Sequence, residues 1–357
     1  MNDEKVYHVL GLMSGSSLDG LDIAYCTFQK KNNQWNYTIE KAETFEYTNE
    51  WQQKLIALPQ SSALEFIEAN TNIAKLWSGM IKVFMEKNKI ATIDFIASHG
   101  HTIFHQPLKN YSTQIGNGAV IAALTKLPVV CDFRSTDVAL NGQGAPLVPI
   151  GDMLLFNKYD AFLNLGGISN ITIKDEDKIS AFDISPCNQW LNKIAQSVGK
   201  PFDENGEMAK AGNCHQPLFD ALNSCSFYHQ KAPKSLSNQD CDIFLKNNIL
   251  PINISADDKL RTITEHIAFQ INAILLNDST TKKCLITGGG AFNLCLINEL
   301  QKNKNWQFII PDKNLIAFKE ALIFAFLGTL RWRNEINVLQ TITGATHDTS
   351  SGAIYLP

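Results

Sequence analysis

The 357-residue chain has no apolar run near the ~20 residues a bilayer-spanning helix needs, which excludes a helical membrane protein. Its first residues, Met1-Asn2-Asp3-Glu4-Lys5, are polar and lead straight into a strand, without the long apolar core of a signal peptide. A soluble, cytoplasmic protein is therefore expected. Net charge is only −4, which gives no reason to expect nucleic acid or an anionic membrane as partner. There is no low-complexity segment and no long linker. The eight cysteines are scattered, and Cys26, Cys131 and Cys284 lie in apolar runs, as buried thiols of a reducing compartment do. The one loose Cys/His cluster, Cys214, His215, Cys225 and His229, fits no common zinc spacing. With 45% hydrophobic and 18% charged residues, what remains is an ordinary globular protein, and its length suggests two domains.

The organisation is strands first. Residues 6–10 and 22–28 are apolar, and Trp35 to Phe45 alternates as a strand does. Residues 50–87 are helical, with Ile67, Ile73, Leu76, Trp77, Met80, Ile81 and Phe84 near helical spacing. Ile93 to Ala97 is a strand ending at Ser98-His99-Gly100-His101, and Pro128 to Cys131 is another, ending at Asp132-Phe133-Arg134. A second cycle has strands at 161–165, 171–173, 179–184 and 283–287, with helices near 188–198, 261–277 and 319–333. Strand–glycine turn–strand thus occurs twice, near residues 15 and 167, and each instance opens an α/β cycle. A duplicated α/β architecture is expected.

The first turn, Gly11-Leu12-Met13-Ser14-Gly15-Ser16-Ser17-Leu18-Asp19-Gly20-Leu21-Asp22, is the richest segment. Glycines let backbone N–H groups approach a ligand, the serines add donors, and such a turn can cradle phosphate oxygens. Asp19 and Asp22 supply the oxygen ligands a magnesium ion or its waters would need. Gly, Ser and Asp are also ordinary hairpin residues, so the turn gains weight only from its companions. Those companions sit at strand ends: Ser98 to Thr102, Asp132 to Asp137, and Asp183-Ile184-Ser185-Pro186-Cys187-Asn188. Asp137 by itself reads equally as a helix cap. The stretch Asn141 to Pro149, with two glycines and two prolines, reads as a domain linker, a hinge or a substrate loop. Gly288-Gly289-Gly290 leaves room for a flat ligand against the backbone.

Taken in order, GLMSGSSLDGLD (11–22), SHGHTIFHQP (98–107), QIGNGA (114–119), DFRSTDVALNGQGAPLVP (132–149), NLGGISNIT (164–172), TGGGAFN (287–293) and EALIFAFLG (320–328) resemble the anhydro-N-acetylmuramic acid kinases, of the actin-like ATPase and sugar-kinase superfamily. The likeness spans nearly the whole chain. Residues 183–188 depart from it, reading Asp-Ile-Ser-Pro-Cys-Asn where the family usually has Asp-Thr-Gly-Pro-x-Asn.

The resemblance implies two actin-like, ribonuclease-H-like α/β domains flanking a nucleotide and sugar cleft, expected at residues 1–137 plus 338–357 and at 138–337. It implies an ATP- and Mg²⁺-dependent kinase that opens the 1,6-anhydro ring of a muramyl sugar and phosphorylates the 6-oxygen, in cell-wall recycling. Asp183 matches the family's catalytic aspartate. Gly15, Ser16, Ser17, Leu18, Asp19, Gly20, Leu21 and Asp22 are expected at the β- and γ-phosphates, with Asp19 and Asp22 on the metal. Gly166 and Gly167 form a second phosphate turn, and Gly288, Gly289, Gly290 and Asn293 the adenosine side. His99, Arg134, Asn188 and Glu320 are expected on the sugar, with an ion pair of Arg134 to Asp132 or Asp137 as the alternative. The expected partner is the small muramyl sugar, with no nucleic acid and no membrane, and a homodimer is allowed. A non-catalytic ATP-binding protein of the same fold, or a kinase for another sugar, is the competing reading; the retained Asp183 argues against the first.

Overall fold

The computed structural model describes residues 5–15, 17–175, 178–231, 234–275 and 282–357. The chain divides into two compact units, one running up to Asn157 and resuming as Phe318–Pro357, the other Lys158–Ala317. In the first, β1 (Val6–Ser14), β2 (Gly20–Lys31) and β3 (Gln34–Glu46) form an antiparallel meander. On the far side of β1 lies β4 (Phe95–Gln106), parallel to it, carrying β5 (Tyr111–Ile115) as a hairpin and then β6 (Val129–Cys131), again parallel. In the second unit β7 (Ala161–Leu165), β8 (Ile168–Asp175) and β9 (Lys178–Pro186) repeat the meander. Beside β7 come β10 (Lys282–Thr287) and β11 (Trp306–Ile309), both parallel. The last strand, β12 (Ala353–Tyr355), returns to the first sheet, antiparallel on β6.

The sheet orders are β12-β6-β4-β1-β2-β3 and β11-β10-β7-β8-β9. Apart from β5 and β12 each is the same plan, a three-stranded meander followed by two parallel strands beside its first. This is the duplicated ribonuclease-H-like arrangement expected from the sequence. The two glycine turns occupy equivalent places, Gly15 in the β1–β2 hairpin and Gly166–Gly167 in the β7–β8 hairpin.

Consecutive β1 residues Val9 and Leu10 are both fully buried, so this strand is covered on both faces. One cover is the helix Ala63–Lys87, opened by a Ser62–Glu65 capping box, which buries Ile73, Trp77, Ile81 and Phe84 at spacings of three and four. The other is the C-terminal part of the helix Lys313–Trp332. Gly11 permits that approach, because a Cβ there would strike the Ala321 carbonyl, and Phe95 stacks on Trp332 at 4.9 Å.

The division between units moves relative to the expected one, from 137/138 and 337/338 to 157/158 and 317/318. Packing explains both shifts. The helix Val148–Leu155 belongs to the first unit, where Gly151 nests against Ile323 and the following Phe156 meets Tyr37 edge-on at 5.2 Å. Phe318 breaks the helical dihedrals (φ −114°, ψ 15°) of Lys313–Trp332 where the division falls. The Asn141–Pro149 stretch is therefore internal to one unit and not a linker between two.

Other differences are local. β4 runs on past Ser98 to Gln106 because β5 pairs with its second half, so the His99 motif lies within a strand. The helix expected over 261–277 is observed as Ala256–Ile274, and residues 276–277 fall outside the described ones. Cys26 and Cys284 are buried as expected, and Cys131 only half so. Among the described residues no helix is long and apolar enough to cross a membrane, and no His/Cys/Asp/Glu cluster could enclose a metal by itself.

Candidate active site

The first glycine turn is tight. Leu18 N–H donates to the Gly15 carbonyl (3.3 Å), and Leu18 takes left-handed dihedrals (φ 59°). Asp19 folds back over it, its Oδ1 accepting from Ser17 Oγ (2.6 Å) and Gly20 N (3.0 Å). Gly15 has almost no neighbour where a Cβ would stand, so its backbone is approachable. Ser16 lies outside the described residues. Two members of the expected phosphate set are engaged otherwise. Leu21 is fully buried in the core and in the β2–β3 ladder, and Gly20 is pressed against the Phe45 backbone. Both serve the sheet, because the strand period puts Leu21 on the inner face.

Asp22, one residue on, faces the other way and is half-buried. Its Oδ1 accepts from Thr44 Oγ1 (2.5 Å) across the β2–β3 pair. Burial pushes its carboxyl up to about 6; the Thr44 bond opposes this, and the charges of Asp19 and Glu320 add to it. Burial and the charges of Asp19 and Glu320 thus disfavour the ionised form of Asp22, a penalty that a divalent cation would offset. Magnesium takes one or two protein carboxylates with waters and phosphate oxygens, so Asp19 and Asp22 fit it without a closed protein cage.

Arg134 is held in a cradle that the DFR…D…GQG spacing builds. His99 Nε2 accepts from Arg134 Nε (3.2 Å) and Nη2 (2.7 Å), and the Gly144 carbonyl accepts from Nη1 (2.5 Å). His99 must then carry its proton on Nδ1, which donates to the Gly100 carbonyl (2.9 Å). Burial, then Arg134, holds its pKa well below the usual histidine range, so the ring is neutral. Gly144 is placed by Asp137, a fully buried carboxylate that accepts from Gly144 N (2.7 Å) and Thr343 Oγ1 (2.7 Å), with Gly142 pressed against it.

The alternative role for Arg134 does not hold. Asp137 is spent on the loop, and Asp132 caps the next helix through Ser135 N (3.2 Å) and Oγ (2.6 Å). Among the described residues no carboxylate pairs with Arg134. Burial lowers its pKa to about 10, against the raising influence of Glu320 and Asp137. Glu320 is open to solvent, yet lies deep enough among protein atoms for desolvation to push its carboxyl upward against Lys319 and Arg134. Water reaches the side chain and offsets part of that push. Beside it Lys319 pairs with Asp152 at 2.7 Å, both buried.

In the second unit the two other glycine segments come together. Gly288 (φ 82°) and Gly290 press on Asn164 and Leu165, the residues leading into Gly166–Gly167. Gly289 is exposed, and a Cβ there would meet only Asn188 Nδ2, at 3.5 Å. The Gly167 carbonyl accepts from Cys187 N (2.8 Å) and Gln189 N (3.1 Å), and that of Gly166 from Asn188 N (3.1 Å). Asn188 Nδ2 in turn donates to the Leu165 carbonyl (2.9 Å), so this carboxamide braces the turns. Asn293 is also committed elsewhere than expected. It is buried, its Oδ1 caps the helix Leu294–Leu300 through Leu296 N (3.0 Å), and it packs against Gly206.

Asp183 stands half-buried on β9, just ahead of that bracing. Its Oδ2 accepts from Leu236 N (2.9 Å), and its own N–H donates to the Lys234 carbonyl (3.0 Å). Burial raises its pKa, and the Leu236 bond opposes the rise. Its Oδ1 makes no hydrogen bond to a described residue. Sequence reasoning missed Thr44, Thr343 and Leu236, whose hydrogen bonds to Asp22, Asp137 and Asp183 span 22, 206 and 53 residues and leave no local signal.

Two sheets of one topology, each with a glycine turn in its first hairpin, define an α/β protein of the actin-like ATPase type. The chain belongs to the anhydro-N-acetylmuramic acid kinase family, whose model matches residues 7–357. The curated anhydro-N-acetylmuramic acid kinase of Hydrogenovibrio crunogenus is 34% identical over 98% of both chains. That of Photobacterium profundum is 32% identical over 97% of this chain and 98% of its own. That of a Sulfurovum species is 31% identical over 100% of each. Among solved structures, an activator of 2-hydroxyisocaproyl-CoA dehydratase from Clostridium difficile aligns with TM-score 0.43 at 12% identity, over 91% of this chain and 97% of that one. A hexokinase from Schistosoma mansoni aligns with TM-score 0.34 at 10% identity, over 90% and 85%.

Proposed function

We propose that the protein is an ATP-dependent kinase that hydrolyses the 1,6-anhydro ring of anhydro-N-acetylmuramic acid and phosphorylates its 6-oxygen, giving N-acetylmuramic acid 6-phosphate in cell-wall recycling. Water attacks the anomeric carbon, and its proton passes to the Asp183 carboxylate. The bond from that carbon to the 6-oxygen breaks, and the 6-oxygen takes the γ-phosphoryl group as the bond to ADP is released. The observation that carries the reading is Asp183: one carboxylate oxygen is fixed by Leu236, the other is unengaged, and burial raises its basicity.

Phosphoryl transfer needs chiefly positioning and charge stabilisation. Gly15, Ser17 and Leu18 hold the β- and γ-phosphates through the turn backbone, and Gly166, Gly167 and Gly288 to Gly290 take the rest of the nucleotide. Asp19 and Asp22 hold Mg²⁺, which neutralises charge on the phosphates. The Arg134 fork, aimed by His99 and Gly144, clamps the lactyl carboxylate of the sugar. Glu320 bonds the sugar hydroxyls or acetamide. A cytoplasmic location belongs to the same reading.

The test is ADP release with a panel of anhydro-sugars, run in isotopically labelled water. The expected product carries one solvent oxygen at the anomeric position and phosphate on the 6-oxygen. Asp183→Asn keeps the shape but cannot take a proton, and turnover is expected to fall ~10²–10⁴-fold. Nucleotide affinity should hardly change. Near-normal turnover in Asp183→Asn would assign the base elsewhere. A wild-type protein that binds ATP without opening any anhydro ring would sink the reading.

A further inference from the structure

The first phosphate turn is anchored at both ends by one residue that the mechanism does not use. Tyr47 N–H donates to the Asp19 carbonyl (3.0 Å), on the far side of the turn. Its phenol oxygen lies 2.8 Å from Ser14 Oγ, on the near side. The phenol is itself fixed from behind, accepting from Trp77 Nε1 (3.0 Å) on the helix Ala63–Lys87. Ser14 Oγ completes the line at His101 Nδ1, 2.9 Å away on β4. All four side chains are buried: Trp77 is 1% exposed, Ser14 2%, Tyr47 5% and His101 5%.

The direction of the line follows from donor inventory. Indole N–H can only donate, so it occupies one lone pair of Tyr47. The phenol proton then goes to Ser14, the other polar neighbour of Tyr47. With the His101 ring proton placed on Nε2, the Ser14 proton goes on to His101 Nδ1, and each donor from Trp77 to Ser14 is used. Burial keeps the two titratable members in the neutral forms this requires: it raises the Tyr47 phenol and lowers the His101 ring. A buried polar line that is fully satisfied has one geometry, and breaking a link leaves unpaired groups costly to keep dry.

We propose that Tyr47 is a positioning residue for the nucleotide: through the line Trp77–Tyr47–Ser14–His101 and its own bond to Asp19, it holds Gly15 and Ser17 to Asp19 in the positions that receive the phosphates. The inference rests on the reading of that turn as a phosphate site. None of its four side chains hydrogen-bonds to His99, Arg134, Glu320 or Asp183, so its effect falls on nucleotide KM and spares the chemical step.

The experiment is steady-state kinetics of the full chain with Tyr47→Phe, Ser14→Ala and the double variant, with calorimetric Mg-ATP titration of each. Tyr47→Phe removes one oxygen and keeps the ring in its packing. Of the two bonds the phenol oxygen makes, the one to Ser14 reaches the turn and the one from Trp77 lies behind it, so KM for ATP is expected to rise roughly tenfold, the scale of the one bond that reaches the turn. Turnover at saturating ATP and KM for the sugar should stay within about twofold, as they would if only that bond is lost. Because both substitutions cut the same link, the double variant should show about the same tenfold loss as each single one, and not their product. A lowered melting temperature with unchanged nucleotide KM would make Tyr47 merely structural and overturn the proposal. So would a multiplicative double variant. If the wild-type chain fails to bind Mg-ATP, the phosphate reading of the turn falls first and takes this inference with it. If the wild type binds and Tyr47→Phe binds equally well, only the inference falls.

Discussion

The three consecutive glycines after β10 are identical in sequence but not in surroundings, and that contrast gives a sharp test. Gly288 has dihedrals (φ 82°, ψ 163°) that side chains other than glycine's scarcely visit. Holding alanine there costs about 1–3 kcal/mol in backbone strain. Its Cβ would also stand 2.5 Å from Asn164 Oδ1 and 2.7 Å from the Leu165 carbonyl carbon, and both must yield. Overpacking of that kind adds about 1–3 kcal/mol. Gly288→Ala should therefore lose about 2–6 kcal/mol and melt several degrees lower.

Gly289 is the opposite case. It is exposed, and its added Cβ would find only Asn188 Nδ2 at an ordinary 3.5 Å. Gly289→Val should fold with stability within about 1 kcal/mol of wild type. Yet it places three carbons where the backbone is otherwise bare. If adenosine and its phosphates lie against that backbone, at least one polar contact is lost, about 1–3 kcal/mol, or roughly 10–100-fold in Mg-ATP affinity. Differential scanning calorimetry and isothermal titration of the two variants separate the effects. A Gly289→Val protein that melts normally and binds Mg-ATP within twofold of wild type refutes the nucleotide role of this turn. A Gly288→Ala protein as stable as wild type refutes the packing argument.

Three further outcomes are expected. Asp22 is neutral below about 6 and ionised above it, so Mg-nucleotide affinity should rise with pH through that value, and Asp22→Asn should flatten the profile; an unchanged profile in the variant would assign the titration to another group. Arg134→Lys replaces a fork by a point charge that cannot engage His99 and the Gly144 carbonyl together, so KM for the sugar should rise about tenfold or more with KM for ATP unmoved, and equal sugar KM values would remove Arg134 from the sugar site. Asp137→Ala strips the buried acceptor from Gly144 N and Thr343 Oγ1 and should cost about 3–6 kcal/mol in denaturant unfolding, since hydrogen bonds to a charged group are worth about 1.5–3 kcal/mol each; a loss below about 1 kcal/mol would mean that the loop is held by something else.

What the sequence disclosed, and what it hid, divides by the range of the forces involved. Strand periodicity and glycine turns are local, and they located β1, β2, β7 and β8, the paired hairpins and the duplication. Short strands were hidden: β11 and β12, four and three residues long, owe their conformation to partners well removed in the chain, and β5, five residues long, to its hairpin with β4. The unit boundary was misplaced for a related reason. Two glycines and two prolines between Asn141 and Pro149 look like a linker, but the glycines are there to admit the Asp137 carboxylate and to free a carbonyl for Arg134. The site divides in the same way. Asp183 and the exposed glycines could be proposed from the sequence because the chemistry proposed for them is carried by the residue itself. Leu21 and Asn293 sat in the right motifs and proved to be core and cap, since a motif gives residues together but not the face each presents. Arg134 is the converse: its ambiguity between clamp and ion pair came from two nearby aspartates. The structure removes both by giving each aspartate a backbone N–H and a hydroxyl to accept, which leaves the guanidinium without a protein carboxylate among the described residues. A half-buried cation oriented by a neutral histidine and a carbonyl, with no carboxylate in ion-pair contact among the described residues, is consistent with the proposed clamp on the sugar's carboxylate.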